Sequence, residues 1–380
     1  MTRKPCTGIA REDRDRTGPA DVQTAQPGEG GPMNRRKKLT TGILLAVSTV
    51  VAAVELYGGL HFYTRPYPAG NISGYVAWGA GGPTDVVSRA LSVYGARELG
   101  TSIIIQNKTG ASGSVATEFV KRQPADGYSL LFNSENPPLY KVMGLSGIDY
   151  DDYYPVILAG QQTAVLVTAA DAAYTTVEAL FAEALENPDS IHLATTGAGG
   201  LTSNVAAMME AVSGVSFNQV PFDGDAAVIT ALLGGHADVT VINYSSAVDF
   251  VKDGSIRILA VFSGQRLESE PDVPAISEIY PDYGRYFPWG TFVGVFVDDD
   301  TPEEVKATLS EAFRRGWESQ GFQTFLEENH ITPLGFTGEE ARAYIRKWQQ
   351  VTTWILYDSG QALYSPANFG LERLGEEETQ

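Results

Sequence analysis

Gly79-Ala-Gly-Gly-Pro-Thr-Asp85 decides how this chain is read. It follows an extended apolar run, Ile72-Ser-Gly-Tyr-Val-Ala-Trp78, and precedes a helical pattern, Val86-Val-Ser-Arg-Ala-Leu-Ser-Val-Tyr-Gly-Ala-Arg-Glu-Leu99. A strand that turns through glycines into a helix directs unpaired backbone N–H groups at one spot, which the helix dipole makes favourable for an anion. Pro83 suits the first helical position, which makes Gly82 the N-cap and puts Asp85 in the first turn. Taken alone, the loop fits either a tight turn before a well-terminated helix or an anion site.

The 380 residues suffice for two domains with cores of their own. A hydrophobic content of 43% with 10% aromatics is that of a globular protein. The formal charge of −19 argues against nucleic acid, which demands a basic surface. A small anionic ligand stays open, because a pocket of backbone amides is locally positive at any global charge. Cys6 is the single cysteine, so no disulfide forms within the chain.

Residues 1–32 are polar, rich in Gly, Pro and Asp, and predict a disordered extension. Met33-Asn-Arg-Arg-Lys-Lys38 and the apolar run Leu39–Val54 then form the pattern of a secretory signal, with Met33 a candidate start and Val51-Ala-Ala53 a candidate cleavage site. An uncleaved anchor over 33–63 is the competing assignment, against which Glu55 counts. Either places the globular part in the periplasm or otherwise outside the cytoplasmic membrane.

From about residue 71 strand-like and helix-like segments alternate, which predicts an α/β fold with mostly parallel sheets. Ser102–Gln106, Tyr128–Phe132, Ile191–Thr195, Asn218–Phe222 and Asp238–Tyr244 read as strands, and Val156–Thr168 as one strand running between domains. Val177–Glu186, Leu201–Val212, Ala226–Leu233, Pro302–Trp317 and Gly338–Asp358 read as helices. Two further glycine-rich strand-to-helix turns repeat the first: Thr195-Thr-Gly-Ala-Gly-Gly-Leu-Thr-Ser203, and Val220-Pro-Phe-Asp-Gly-Asp-Ala226, where Asp225 is a natural N-cap. Three such turns in one chain predict helix ends converging on a cleft that holds a carboxylate.

Ala77-Trp-Gly-Ala-Gly-Gly-Pro-Thr-Asp85 resembles the Pro-Phe-x-x-Gly-Gly-x-Thr-Asp loop of the tripartite tricarboxylate transporter receptors, the Bug-type solute-binding proteins, with Ala77 and Trp78 replacing Pro-Phe. Gln106-Asn-Lys-Thr-Gly-Ala-Ser-Gly113, Ala125-Asp-Gly-Tyr-Ser-Leu130 and Asp152-Tyr-Tyr-Pro-Val156 resemble further segments of that family in the same order. Gly234-Gly-His-Ala-Asp238 and Asp272-Val-Pro-Ala-Ile-Ser-Glu278 continue the likeness, which covers Asn71 to Trp348.

The resemblance implies a type II periplasmic binding fold: two α/β lobes joined by crossing strands, with a ligand cleft between them. It implies lobe 1 over 71–167 and 290–380, lobe 2 over 168–289, and crossings near Val165–Thr168 and Pro288–Val295. The carboxylate would meet Gly79, Ala80, Gly81, Thr84 and Asp85 on one side, beside Trp78, and Thr196, Gly197, Ala198, Gly199 and Thr202 on the other. Two loops complete the candidate site, Ser134 with Glu135 and Phe222 with Asp223. The implied partners are a small organic carboxylate and the permease subunits of a tripartite transporter, with the receptor a monomer and no cofactor. The family's third loop carries a basic or neutral residue where this chain has Asp223. If Asp223 and Glu135 face the ligand they repel a polyanion such as citrate, which predicts a monocarboxylate, an amine-bearing ligand or a cation-bridged acid. If both point to solvent, no such limit applies.

An enzyme is the rival class. The chain has no Gly-x-Ser-x-Gly elbow, no Walker sequence and no complete Gly-x-Gly-x-x-Gly, and His61, His192, His236 and His330 lack metal-ligand spacing. A membrane-tethered sensor using the same cleft is the third class. Sequencing the mature N-terminus separates it from a freely diffusing receptor: cleavage near Ala53 is expected, and an intact 33–63 segment would favour the tether.

Overall fold

Short apolar runs, most of them followed by a helix, build two separate sheets among the described residues. The computed structural model describes residues 45–51 and 67–373, apart from 198 and 223. The expected extension and the leader or anchor therefore lie outside the described residues, except for 45–51, which are helical. Among the described residues no helix is long and apolar enough to cross a membrane.

The first sheet has the order β11-β4-β10-β3-β1-β2, from β1 (Ile72–Val76), β2 (Ile103–Asn107), β3 (Ser129–Asn133), β4 (Tyr153–Gln162), β10 (Thr291–Asp298) and β11 (Thr332–Phe336). The second has the order β7-β6-β8-β5-β9, from β5 (Ala164–Ala169), β6 (His192–Thr195), β7 (Asn218–Pro221), β8 (Val239–Asn243) and β9 (Ile256–Phe262). Helices of two turns or more are α1 (Pro83–Leu99), α2 (Ser114–Lys121), α3 (Val177–Glu186), α4 (Leu201–Ser213), α5 (Asp225–Leu233), α6 (Tyr244–Lys252), α7 (Glu303–Glu318), α8 (Gln320–Glu328) and α9 (Gly338–Asp358). Pro83 begins α1 after Gly82, as its fixed φ and missing N–H suggest.

The sheets are mixed, which corrects the expectation of mostly parallel ones. β1 runs parallel to β2 and β3, and β6 to β7 and β8. By contrast β10 is antiparallel to both β3 and β4, β11 to β4, and β5 to both β8 and β9. The antiparallel members are those beside the two passages of the chain between sheets. The run 156–168 is also divided: β4 ends at Gln162, β5 begins at Ala164 in the other sheet, and the step falls at Thr163, ahead of the anticipated 167/168 boundary. The return passage occupies 263–290.

Each lobe has an apolar core. In lobe 1 Val76, Leu91, Phe132, Val295, Leu309 and Phe313 pack between the sheet and helices α1 and α7. In lobe 2 Val165, Val167, Ala194, Val228, Leu232 and Ile258 pack together. A third cluster joins both, from Tyr153 and Leu158 through Trp348 to Leu166, Phe181 and Val205.

Gly95 of α1 and Gly316 of α7 let these helices meet backbone to backbone. A Cβ on Gly316 would lie 2.9 Å from the Gly95 nitrogen and from the Tyr94 carbonyl carbon, so a larger residue must push α7 away from α1. Gly316→Val should lower the unfolding free energy by about 1–3 kcal/mol in urea denaturation. An unchanged midpoint would show that the helices separate freely.

Candidate functional site

Parallel strands followed by helices bring their carboxyl ends to one edge of each sheet, where such folds bind ligands. In lobe 1 that edge carries the loop 77–82 after β1, the loop 108–113 after β2 and Ser134–Asn136 after β3. In lobe 2 it carries 196–200 after β6 and 222–224 after β7. The edges meet: Asn136 Nδ2 donates to the Gly199 carbonyl at 2.6 Å, and Asn204 Nδ2 donates to the same oxygen at 3.3 Å. Four helices start at this edge from glycine N-caps with no side chain bonding their first turn: α1 from Gly82, α2 from Gly113, α4 from Gly200 and α5 from Gly224.

Loop 1 is held from inside by Asp85. Its carboxylate accepts from the Gly81 N–H at 2.9 Å, from Arg89 Nε at 2.9 and 3.0 Å, and from Asn107 Nδ2 at 2.7 Å. Asn107 Nδ2 also donates to the Trp78 carbonyl, so β2 ties both ends of the loop. Burial pushes the Asp85 carboxyl up, but the bonds from Arg89, Gly81 and Asn107 outweigh it and hold the group below its usual range. Asp85 was expected at the ligand; in the structure both of its carboxylate oxygens are engaged by these bonds, which brace the loop. Gly79, Ala80 and Gly81 are exposed, with Gly81 at φ +81°, and Thr84 is buried in the first turn of α1. The Trp78 indole donates to Asn133 Oδ1 at 3.0 Å, which fixes its plane beside the loop.

Loop 2 turns on Gly197 and Gly199, both at positive φ. Ser203 Oγ donates to the Gly197 carbonyl at 2.9 Å and closes the turn. Thr196 is half-buried. Thr202, also expected at the ligand, is buried and donates its hydroxyl to the Val241 carbonyl at 2.8 Å, which locks α4 to β8 and takes the hydroxyl out of the cleft. Ala198 lies outside the described residues.

In the third loop the Phe222 N–H bonds the Thr195 carbonyl and its ring packs on the lobe 2 core, while Asp223 lies outside the described residues. Asp225 is not the N-cap. Gly224, at φ +87°, takes that place, and Asp225 accepts from Ser246 Oγ at 2.9 Å. Asp225 keeps some exposure as a residue, yet its carboxyl is enclosed, and burial raises its proton affinity against the Ser246 bond.

Ser134 is buried and its hydroxyl donates to Asn136 Oδ1 at 3.0 Å. Glu135 is 3% exposed, and its Oε2 has no hydrogen-bond partner. Burial pushes its carboxyl up to about 7, opposed by its own backbone N–H and Ser134 and reinforced by the charge of Asp225 from the other lobe. Sequence reasoning named Glu135 but missed Asn107, Asn133 and Asn136, whose amides tie the loops together. Each stands at or just past the end of a parallel strand, and that position was the available signal. Two hollows lined by Pro138, Asp149, Asp151, Arg346 and Gln349 lie on the α9 side of lobe 1 and contain none of these loop residues.

Asp85→Asn removes a charged acceptor from three donors and should destabilise the protein by about 1–3 kcal/mol at pH 7. Because the folded carboxyl is held low, its stabilisation is complete above the unfolded value, about 4, and fades as pH falls through the folded one. Thermal melts should therefore show the gap between variant and wild type closing in acid, and a gap constant with pH would refute the brace.

A family model for the tripartite tricarboxylate transporter family receptor matches residues 87–355. The chain is 27% identical to Protein BugT of Bordetella pertussis over 339 residues, covering 87% of this chain and 100% of that protein. The solved periplasmic binding protein BugD superposes with a TM-score of 0.70 at 24% identity, over 78% of this chain and 99% of that one. R. palustris Rpa4515, solved with adipate, superposes with a TM-score of 0.71 at 23% identity, over 78% and 99%. The likeness shows the two-lobed fold of periplasmic binding proteins, and with the family match over residues 87–355 this chain belongs to the tripartite tricarboxylate transporter family of receptors.

Proposed function

We propose that this receptor captures a small organic carboxylate between its lobes, outside the cytoplasmic membrane, and delivers it to the permease subunits of a tripartite-type transporter. One observation carries the proposal: the Asn136–Gly199 hydrogen bond joins the strand-end edge of the first sheet, from which α1 also starts, to the loop that leads into α4. Free N–H groups at such ends are partial positive charges, and a carboxylate is the small anion whose two oxygens can take donors from both sides. The donors we assign are the backbone amides of Gly79, Ala80 and Thr84 in lobe 1 and of Thr196, Gly197, Ala198 and Gly199 in lobe 2, with the Gly81 N–H kept by Asp85. Trp78 and Phe222 supply apolar walls. Asp85 and Thr202 act indirectly, by holding the two loops in shape.

Ligand contacts made to both sides favour the closed arrangement, and closure is what a membrane partner would sense. The adipate held by Rpa4515, which shares this fold, supports a carboxylate as the ligand class. The family members compared are binding proteins, so we assign the cleft to capture rather than to catalysis.

Ala80 stands exposed at the tip of loop 1, where an added side chain does not disturb the core. Ala80→Asp should leave the melting temperature of the free protein unchanged and weaken carboxylate binding about tenfold or more, because it sets a negative charge at the anion's place. Thermal shift and calorimetry across a panel of mono- and dicarboxylates read this out. Undiminished binding would remove loop 1 from the site.

A further inference from the structure

Glu135 is the buried acid that nothing in the fold explains. Its Oε2 lies among protein atoms without a hydrogen-bond partner, a costly arrangement for a buried carboxylate. No ion pair to Glu135 or Asp225 occurs among the described residues, and the charge near Glu135 is that of Asp225, a second acid facing it from lobe 2. The segment that carries Glu135 touches both proposed jaws. Asn133, two residues earlier, receives the Trp78 indole of loop 1, and Asn136, the next residue, reaches Gly199 of loop 2. An unpartnered carboxylate oxygen, at the seam between lobes and opposite another carboxylate, is chemically suited to a positive donor.

We propose that the captured carboxylate also bears a cationic nitrogen, an ammonium or substituted ammonium, and that Glu135 and Asp225 select it. The proposal rests on the capture function above and narrows its ligand class to amino-carboxylates. The glycine-rich loops take the carboxylate end. The ammonium end bonds Glu135 Oε2 and offsets the repulsion between the two acids. A dicarboxylate would instead place its second charge against the same two acids.

The other titratable groups around Glu135 are Tyr140, Tyr150 and Tyr344, all of whose hydroxyls are held protonated by burial. Glu135 and Asp225, both raised by burial, are therefore the groups that can give up a proton when an ammonium arrives.

Matched probes of equal length test this: hexanoate, adipate and 6-aminohexanoate, then butyrate, succinate, 4-aminobutyrate and 2-aminobutyrate. Calorimetry on the intact mature protein should give at least one amino acid about tenfold tighter binding than the dicarboxylate of its length. Glu135→Gln and Asp225→Asn should erase that margin while retaining binding of the plain carboxylate. At pH 6, titration in buffers of different ionisation enthalpy should show proton release on amino-acid binding to wild type that falls with Glu135→Gln. A dicarboxylate or plain acid bound as tightly as its amino counterpart in wild type overturns the proposal, as does a margin untouched by both substitutions. Circular dichroism melts report whether the variants fold; if they do not, the wild-type ranking decides alone. Failure of every probe to bind overturns carboxylate capture itself, an outcome distinct from carboxylate binding without preference for the amine.

Discussion

Backbone N–H groups in the first turn of a helix have no partner within the helix, and the arrangement of this molecule follows from where those donors are left open. Thr176 and Ser319 cap α3 and α8 with their hydroxyls, as polar N-caps do. Four helices leaving the cleft edge begin instead at Gly82, Gly113, Gly200 and Gly224, which have no side chain to offer. Such donors need water or a ligand, and parallel strands are what bring them together, because each strand delivers its helix to the same edge. The antiparallel strands serve a different need. β10 inserts between β3 and β4 and returns the chain to the first sheet after its excursion, so the open edges of two sheets come to oppose each other.

Elements with a clean period were legible from sequence. Pro83 and the glycines around it fix the start of α1, and Gly338–Asp358 was read to the residue because its 3.6-residue pattern runs unbroken. The passage at Thr163 was not legible. Apolar residues continue across it, and periodicity records burial without recording which sheet does the burying. Sheet direction failed for the same reason, since a strand buried on both faces reads alike in parallel and antiparallel company.

In the site, position was legible and orientation was not. Asp85 was placed correctly in its loop, and Arg89 four residues on was a readable partner, but the inward pull of Asn107 comes from a strand 22 residues away. Asp225 fits the N-cap rule by residue type. Gly224 overrides it, because its positive φ lets the chain turn one residue earlier and frees Asp225 to meet Ser246. Glu135 stood out as an acid where the family loop approaches the cleft; its burial needed the fold.

Under the proposed capture, two opposing terms would set how readily the lobes close. The apolar cluster from Tyr153 through Trp348 to Leu166 and Phe181 spans both sheets without any ligand, so burial favours contact between them. Across the same seam Glu135 and Asp225 oppose contact whenever both are ionised, since neither has a cation to answer it among the described residues. An anion bound at the loops alone satisfies the helix ends but adds to the negative charge already enclosed. A ligand with charge of both signs satisfies the helix ends and the acids together, so its affinity for the closed arrangement exceeds that for the open one by more than either end could supply. That difference, not tightness of binding as such, moves the population. Under the proposed capture, the acid pair would make closure conditional on the ligand's second charge, and the glycine-capped helices on the first.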